Sequence, residues 1–367
     1  MSIKPHINVQ QLLEKYFSLV KRFVPEETTK PTVGLDIGHS CCKIVALKQK
    51  GNSFELIHGA VEPILNGDEK TAVQKLLAAL PEPPAGLTTT VSGKGTLIRF
   101  IEMPKMSPTD LKKSFALEAD KYFPFPKDQI YTDCFILEKG DRDAKMSVLV
   151  AAAKKELVDQ RIALFKELES VPDAMILDAL ALANAVYRIG AVDSSAPKDG
   201  AESAQEAVAV LDIGDRISNL VVMVDGFPRF CRDIFIGGHE LTLGISNGLG
   251  VSIEEAEKMK RQPQDKLPDI LKAADSVIMN LVSELRLSFD YFITEKNISI
   301  ASLFLTGGAS ALEGLPGLFT KYLEMEVRKW PLMQGVSLSP AMAEETKADI
   351  LKIADSLGVA VGLASYS

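Results

Sequence analysis

A strand ending in Leu-Asp-Ile-Gly occurs twice in this chain, within VGLDIGHSCCKIVAL at 33–47 and VAVLDIGDRISNLVVM at 208–223. In each stretch an aliphatic run stops at a glycine, crosses a few small or polar residues and resumes as a second apolar strand, which is the pattern of a β-hairpin. Alignment of the two puts Asp36 over Asp212, Gly38 over Gly214, Ser40 over Arg216, Cys42 over Ser218 and Lys43 over Asn219. The chain's 367 residues exceed the roughly 100–200 typical of one domain, and 46% of them are hydrophobic. The repeat therefore predicts two lobes built on one α/β plan, each opening with the same hairpin.

The rest of the chain divides around these hairpins. Residues 8–24 place Val9, Leu12, Leu13, Tyr16, Phe17, Val20, Phe23 and Val24 at helical spacing on one face,. That segment reads as a helix docked on its own domain or on a second copy, a foot on a membrane surface, or a partner-docking helix; polar residues then lead to position 32. A hairpin is expected near Gly51-Asn52, a helix at 69–80, and strands in TTTVSG and LIRFIEM. A helix at 108–122 must stop at YFPFP, because Pro124 and Pro126 cannot continue it,. Two further strands and a helix at 155–169 complete an inserted α/β unit. The turn-rich stretch 191–206 reads as a linker,. The second half has a hairpin across Asp225-Gly226, helices at about 240–249, 253–262 and 267–295, the strand SLFLTGG, and one final helix in ADILKIADSLGVAVGLAS.

A net charge of −8 argues against a general nucleic-acid binder, which needs a basic face,. Cys41, Cys42, Cys134 and Cys231 have no metal-site or disulfide spacing,. No apolar run approaches the roughly 20 residues of a membrane span, so a cytoplasmic protein is expected.

The turns themselves point to phosphate. A glycine after the strand is expected to turn with positive φ and bring backbone N–H groups against an anion. Two such turns facing each other make jaws for a polyphosphate. Asp36 and Asp212 would oppose this, since a carboxylate about 5 Å from a phosphate charge is repelled by roughly 3 kcal/mol at an effective dielectric of 20. Mg²⁺ between them removes the conflict, because it is commonly held by one or two carboxylates plus substrate phosphates. Lys43 is then a phosphate contact, and Ser218 and Asn219 are side-chain donors. Gly307, Gly308 and Ala309 in SLFLTGGAS would lie against adenine or ribose, or simply form an ordinary strand-to-helix turn. Glu257 and Lys260 share a helical face and would hold ribose hydroxyls or simply face solvent, and Gly237-Gly238 precede another helix.

Together these motifs resemble the actin-like ATPase superfamily, with its duplicated ribonuclease H-like, two-lobed fold. Within it the chain is similar to the PilM group, type IV pilus assembly proteins related to the division protein FtsA. The resemblance is sharpest in RFIEMPKMSPTDLKKSFALEADKYFPFP at 99–126 and FPRFCRDIFIGGHELT at 227–242. It implies ATP and Mg²⁺ as cofactors, held by Asp36, Gly38, Ser40, Cys41, Cys42, Lys43, Asp212, Gly214, Ser218, Asn219 and the residues just named, with Asp36 and Asp212 on the metal. It also implies that the cytoplasmic tail of a PilN-like inner-membrane protein docks beside an inserted subdomain. Pilus assembly ATPases and further copies in a ring or filament are other partners it suggests, at the cytoplasmic face of the inner membrane. The implied layout is an N-terminal segment 1–31; a first core subdomain 32–98 completed by 172–190 and 350–367; an insertion 99–171; the linker 191–206; a second core subdomain 207–250 and 300–349; and a helical subdomain 251–299.

Asp178, at the step from MIL into a helix, sits about where this superfamily carries the group that orients the attacking water; it is equally placed to be a helix N-cap. Cys41 and Cys42 stand where the family usually has small hydroxyl residues, and Asp215-Arg216 follows the second glycine where small residues are usual. Nucleotide binding is thus expected more firmly than turnover. An FtsA-like division tether is the alternative, a sugar or acetate kinase would need an acceptor base that no cluster supplies, and a scaffold that binds ATP without hydrolysing it fits the same residues.

Overall fold

β1 (Thr32–Ile37) and β2 (Cys41–Lys50) pair antiparallel with Asp36 opposite Lys43, and β3 (Ser53–Pro63) adds the next antiparallel strand. These coordinates are a computed structural model that describes residues 30–51, 53–138, 145–190 and 206–366. The segment expected to be an amphipathic helix at 8–24, Asn52 of the first hairpin turn, and all but the last residue of the linker 191–206 lie outside the described residues. After α1 (Glu69–Ala78), strands β4 (Gly86–Val91) and β8 (Ala174–Leu177) extend the sheet in parallel beyond β1.

The second half repeats the plan. β9 (Glu206–Ile213), β10 (Ser218–Val224) and β11 (Phe227–Ile234) are antiparallel neighbours, and β12 (Ser299–Thr306) and β13 (Glu326–Lys329) continue in parallel from β9. The β10–β11 turn is the two-residue Asp225-Gly226, both at positive φ, the geometry that matches strand twist in a tight hairpin. The two sheets thus share one strand order, β3-β2-β1-β4-β8 against β11-β10-β9-β12-β13.

Strand alternation gives each sheet an inner and an outer face. Outer residues Leu35, Ile37, Cys42 and Ile44 pack with Val73 of α1 and with Phe165 of α3 (Lys155–Glu167). Outer residues Leu211, Ile213 and Leu220 pack under α5 (Gly238–Leu249), α7 (Leu267–Lys296) and α8 (Leu315–Leu323). Inner residues Val45, Leu47, Val208, Val210 and Val221 share one core with α4 (Asp178–Ile189) and α10 (Gly358–Ala364). Those two helices cross so closely that a Cβ on Gly362 would overlap the Ala181 carbonyl. The Ala- and Gly-rich C-terminal sequence is what permits the approach, and it joins the inner faces of both sheets in one core.

A third sheet, order β5-β7-β6, comes from β5 (Thr96–Pro104), β6 (Ile130–Glu138) and β7 (Lys145–Lys154). Leu111 and Phe115 of α2 (Pro108–Glu118) cover one face of it against Met103, Cys134 and Val148. Ser107 caps α2 by accepting from the Asp110 N–H,.

Three expectations are corrected. The helix at 155–169 does not complete the insertion: Phe165 is 1% exposed inside the first lobe's outer core, where truncation to Ala would cost about 3–5 kcal/mol. Residues 336–338, placed in the second core, form β14 (Val336–Leu338), which pairs parallel with β3 at the edge of the first sheet. The final helix is two helices, α9 (Glu344–Ile353) and α10, parted by a 3₁₀ turn. The break frees the Asp355 carbonyl, which accepts from the Gly307 N–H at 2.6 Å and the Thr306 hydroxyl at 2.7 Å.

Candidate functional site

The inner faces of both sheets run upward to the hairpin turns, and alternation decides which residues arrive there. Asp36 and Lys43 share the inner side with Gly34 and Val45, and Asp212 and Asn219 share it with Val210 and Val221. Cys42 and Ser218 fall one residue out of step and face outward. Cys42 is fully buried in the outer core, where burial first, then Asp36 and Glu69, push its thiol up to about 12. Ser218 donates to the Ile236 carbonyl at 2.6 Å. Neither side chain faces the cleft. Ser40 is exposed on the turn and Cys41 half-buried beside Lys43.

The two turns are built alike. The Gly38 N–H donates to the Cys41 carbonyl and the Gly214 N–H to the Ile217 carbonyl, each at 3.1 Å. Neither glycine has positive φ, contrary to expectation; at both, a Cβ would crowd the carbonyl that closes the turn, at 3.0 and 2.6 Å. Closeness of the backbone, not handedness, selects glycine here.

Lys43 Nζ lies 2.7 Å from Asp36 Oδ2. Burial works against the ammonium, but Asp36, Cys41 and Asp212 outweigh it and hold Lys43 above its ordinary range. Burial lifts the Asp212 carboxyl to about 6, with Asp36 adding to the rise and Lys43 and the Asn219 amide restraining it. The lobes therefore bring Asp36, Lys43 and Asp212 within electrostatic reach of one another.

Asp178 opens α4 beneath them. Leu177, not Asp178, is the N-cap, so the capping account fails. Burial and then Asp36, Asp233 and Asp212 raise the Asp178 carboxyl well above the usual range, and Ser92 opposes the rise by hydrogen bonding to it. Its Oδ1 is shut from solvent with no hydrogen-bond partner. A buried polar atom left unpaired costs roughly 1–3 kcal/mol and marks a position that a water or ligand would satisfy.

The second lobe's loops close on the same point. Gly307 has φ +93°, and a Cβ there would lie 2.5 Å from the Ile213 backbone and 2.7 Å from Asp212 Oδ1. Gly308 faces open space. Gly238 lies where a Cβ would meet Ala309 Cβ at 3.0 Å and Lys260 Nζ at 3.3 Å. The Gly238 and His239 N–H groups donate to the Gly214 and Asp215 carbonyls, each at 2.8 Å, while Gly237 donates to Glu240, so the head of α5 is committed to the second turn. Lys260, on α6 (Ile253–Arg261), is buried and donates to the Gly238 carbonyl, Thr242 Oγ1 and Glu257 Oε2 at 2.8, 2.7 and 2.6 Å. All three of its protons are used. Burial opposes ionisation of Glu257, but bonds from Lys260, Thr242 and Arg261 prevail and hold its carboxyl low. The pair is neither a solvated face nor a free ribose clamp; Lys260 pins the Gly238 turn.

Comparison with known proteins now decides the family. Residues 34–367 match the model described as "Type IV pilus assembly protein PilM". The chain belongs to the PilM family. A solved structure described as the PilM-PilN type IV pilus biogenesis complex is similar at 25% identity and TM-score 0.76, covering 91% of this chain and 97% of that one. EutJ, the ethanolamine utilization protein of Carboxydothermus hydrogenoformans, shares the fold at 14% identity and TM-score 0.53, covering 97% and 99% of the two chains. Among curated relatives, the cell division protein FtsA of Bacillus subtilis (strain 168) is 29% identical over 33% of this chain and 33% of FtsA. EutJ of Salmonella typhimurium is 24% identical over 34% of this chain and 42% of its own length. The chain thus matches less than half the length of either curated relative. The fold is actin-like.

For this PilM family member, comparison of the two hairpins could not have revealed Asp233. It stands on β11 in a cross-strand row with Asn219 and Asp212, whereas the residue opposite Lys43 in the first lobe is Val61. Burial lifts Asp233 to about 6, with Thr96 opposing. Asp178 therefore feels Asp36, Asp233 and Asp212, while Lys43 is held by Asp36 and Asp212. Among the described residues no three His, Cys, Asp or Glu side chains converge on one metal position.

Proposed function

We propose that the chain holds Mg-ATP between its lobes and docks the cytoplasmic N-terminal tail of a PilN-like inner-membrane protein, as an assembly component of the type IV pilus machinery. The observation that carries this reading is the similarity, over 91% of the chain, to a PilM-PilN complex. The residues fit the cofactor: carboxylates on both facing turns, the unpaired Oδ1 of Asp178, and Gly307 and Gly308 where the backbone must lie flat. Bound Mg²⁺ would neutralise phosphate charge and join it to Asp36 and Asp212. Lys43 would then exchange part of its contact with Asp36 for phosphate, and the unpaired Asp178 Oδ1 would accept a hydrogen bond from water. Any hydrolysis is assigned to Asp178. The chain would reach the cytoplasmic face of the membrane through its partner, since no described helix is long and apolar enough to cross one.

Affinity capture of the tagged chain from detergent-solubilised native cells with Mg-ATP tests the whole reading, with Asp36→Ala alongside. Recovery of an inner-membrane pilus protein by the parent chain, reduced in the variant, is expected. Recovery of division proteins instead, or of no membrane protein, overturns the pilus assignment. FtsA's resemblance over a third of the chain makes the division outcome the informative contrast.

A further inference from the structure

Between β4 and β5 the chain reads Ser92-Gly93-Lys94-Gly95-Thr96. Both glycines have positive φ, +113° and +144°, so the link can turn sharply in a way that a side chain would resist. Ser92 hydrogen-bonds the carboxylate of Asp178, at the head of α4 in the first lobe. Thr96 Oγ1 lies 3.3 Å from Asp233 Oδ2, on β11 of the second lobe, and 3.0 Å from the Gly93 carbonyl. The Lys94 ammonium stands over the Phe235 ring, 5.3 Å from its centroid, a contact of the cation–π kind. Ser92, Lys94 and Thr96 of this link thus touch both lobes at the cleft.

Thr96 is also the first residue of β5, which pairs with β7 from Thr96 to Pro104. Thr96 therefore joins the link covalently and by strand pairing to the inserted sheet. A hydroxyl has one proton, and that of Thr96 is within reach of both the Gly93 carbonyl in the strap and Asp233 across the cleft, so strengthening one of these bonds weakens the other. Asp233 and Asp212 both act electrostatically on Asp178. A charge introduced beside Asp212 and Asp178 is therefore felt at both ends of the strap.

We propose that Ser92 and Thr96 are positioning residues that tie the cleft carboxylates Asp178 and Asp233 to strand β5, so that a nucleotide in the cleft resets the inserted three-stranded sheet. The inference rests on the nucleotide reading of the cleft. It makes the insertion a reporter of cleft occupancy, through a strap that has different contacts in the filled and empty states, which is what linkage between two sites requires.

The test is hydrogen–deuterium exchange on the full chain with and without Mg-AMPPNP, with binding of a fluorescent ATP analogue read in parallel. Nucleotide is expected to change exchange in 96–104 by at least about fivefold, the low end of two-site coupling. Thr96→Val should keep nucleotide affinity within about twofold while losing that response, and Thr96→Ser should restore it, as removal of one coupling contact predicts. An equal β5 response in Thr96→Val, or none in the parent chain with nucleotide bound, overturns the proposal. Failure of the analogue to bind the parent chain overturns the cleft reading first, and the strap with it. Should Thr96→Val not fold, Ser92→Ala carries the same comparison from the other end, and a retained β5 response there is equally fatal.

Discussion

Lys43 and Asp36 are register partners across the first hairpin, with Nζ 2.7 Å from Oδ2, and both side chains are almost wholly buried, at 13% and 5% exposure. This is a buried ion pair that also faces Asp212. Loss of the ammonium alone strands at least one carboxylate without compensation. Lys43→Met should therefore destabilise the fold by about 3–5 kcal/mol at neutral pH, and pairing it with Asp36→Asn should recover most of the loss. Urea unfolding of the two variants checks this; equal stability of both would mean that the pair is not electrostatically isolated.

The pH dependence of stability should run opposite to that of an ordinary carboxylate protein. Asp212 and Asp233 are lifted from 3.8 to about 6, chiefly by burial. The folded chain then binds these protons more tightly than the unfolded chain, so ionisation on raising pH through 6 costs the folded state. Stability without nucleotide should rise as pH falls from about 7 to about 5, by roughly 1.3 kcal/mol per group at about 1.36 kcal/mol per pKa unit, the rest of the shift being gained only below about pH 5. Asp233→Asn should flatten part of that slope. Denaturation midpoints across this window provide the measurement, and a falling midpoint would refute the assignment.

Gly307 and Gly308 are adjacent but make opposite predictions. Ala at 307 must adopt φ +93° and place its Cβ 2.5 Å from Ile213 backbone atoms, so Gly307→Ala should lose more than about 2 kcal/mol. Ala at 308 meets nothing, and its stability should stay within about 0.5 kcal/mol. If adenosine lies on this loop, Gly308→Ala should nonetheless weaken nucleotide binding. Thermal melts and nucleotide titrations of the two variants separate packing from ligand contact.

Asp178→Asn retains shape and removes charge from a crowded acidic cluster. It should leave nucleotide binding within about twofold, lower any hydrolysis at least about tenfold, and raise stability in the absence of nucleotide. Single-turnover phosphate release checks the rate; an unchanged rate removes Asp178 from the chemistry.

The duplicated hairpins were legible in sequence because their aliphatic runs and glycines are local signals, and Asp36, Lys43 and Asp212 could be named from them alone. The Asp178 step into α4 was equally plain, since a strand-to-helix junction changes hydrophobic period. The final helix was misread because its break at 354–356 serves a distant partner: the Asp355 carbonyl bonds Gly307 and Thr306. The spacing 344–364 carries no trace of that demand.

By itself the sequence determined two α/β lobes, the hairpin turns, the inserted unit's place between β4 and β8, and the polar residues at each turn. These follow from periodicity and turn chemistry, which act over a few residues. Only the tertiary structure decided which of those residues face inward. A one-residue step along a strand sends Cys42 and Ser218 to the outer cores and leaves Lys43 and Asn219 in the cleft. It also revealed Asp233, Ser92 and Thr96 as neighbours of that cleft, and showed that Lys260 is spent on the Gly238 turn. Such pairings join positions far apart in the chain, and they are set by sheet register and by the crossing of α4 with α10, where Gly362 meets Ala181, rather than by any local pattern.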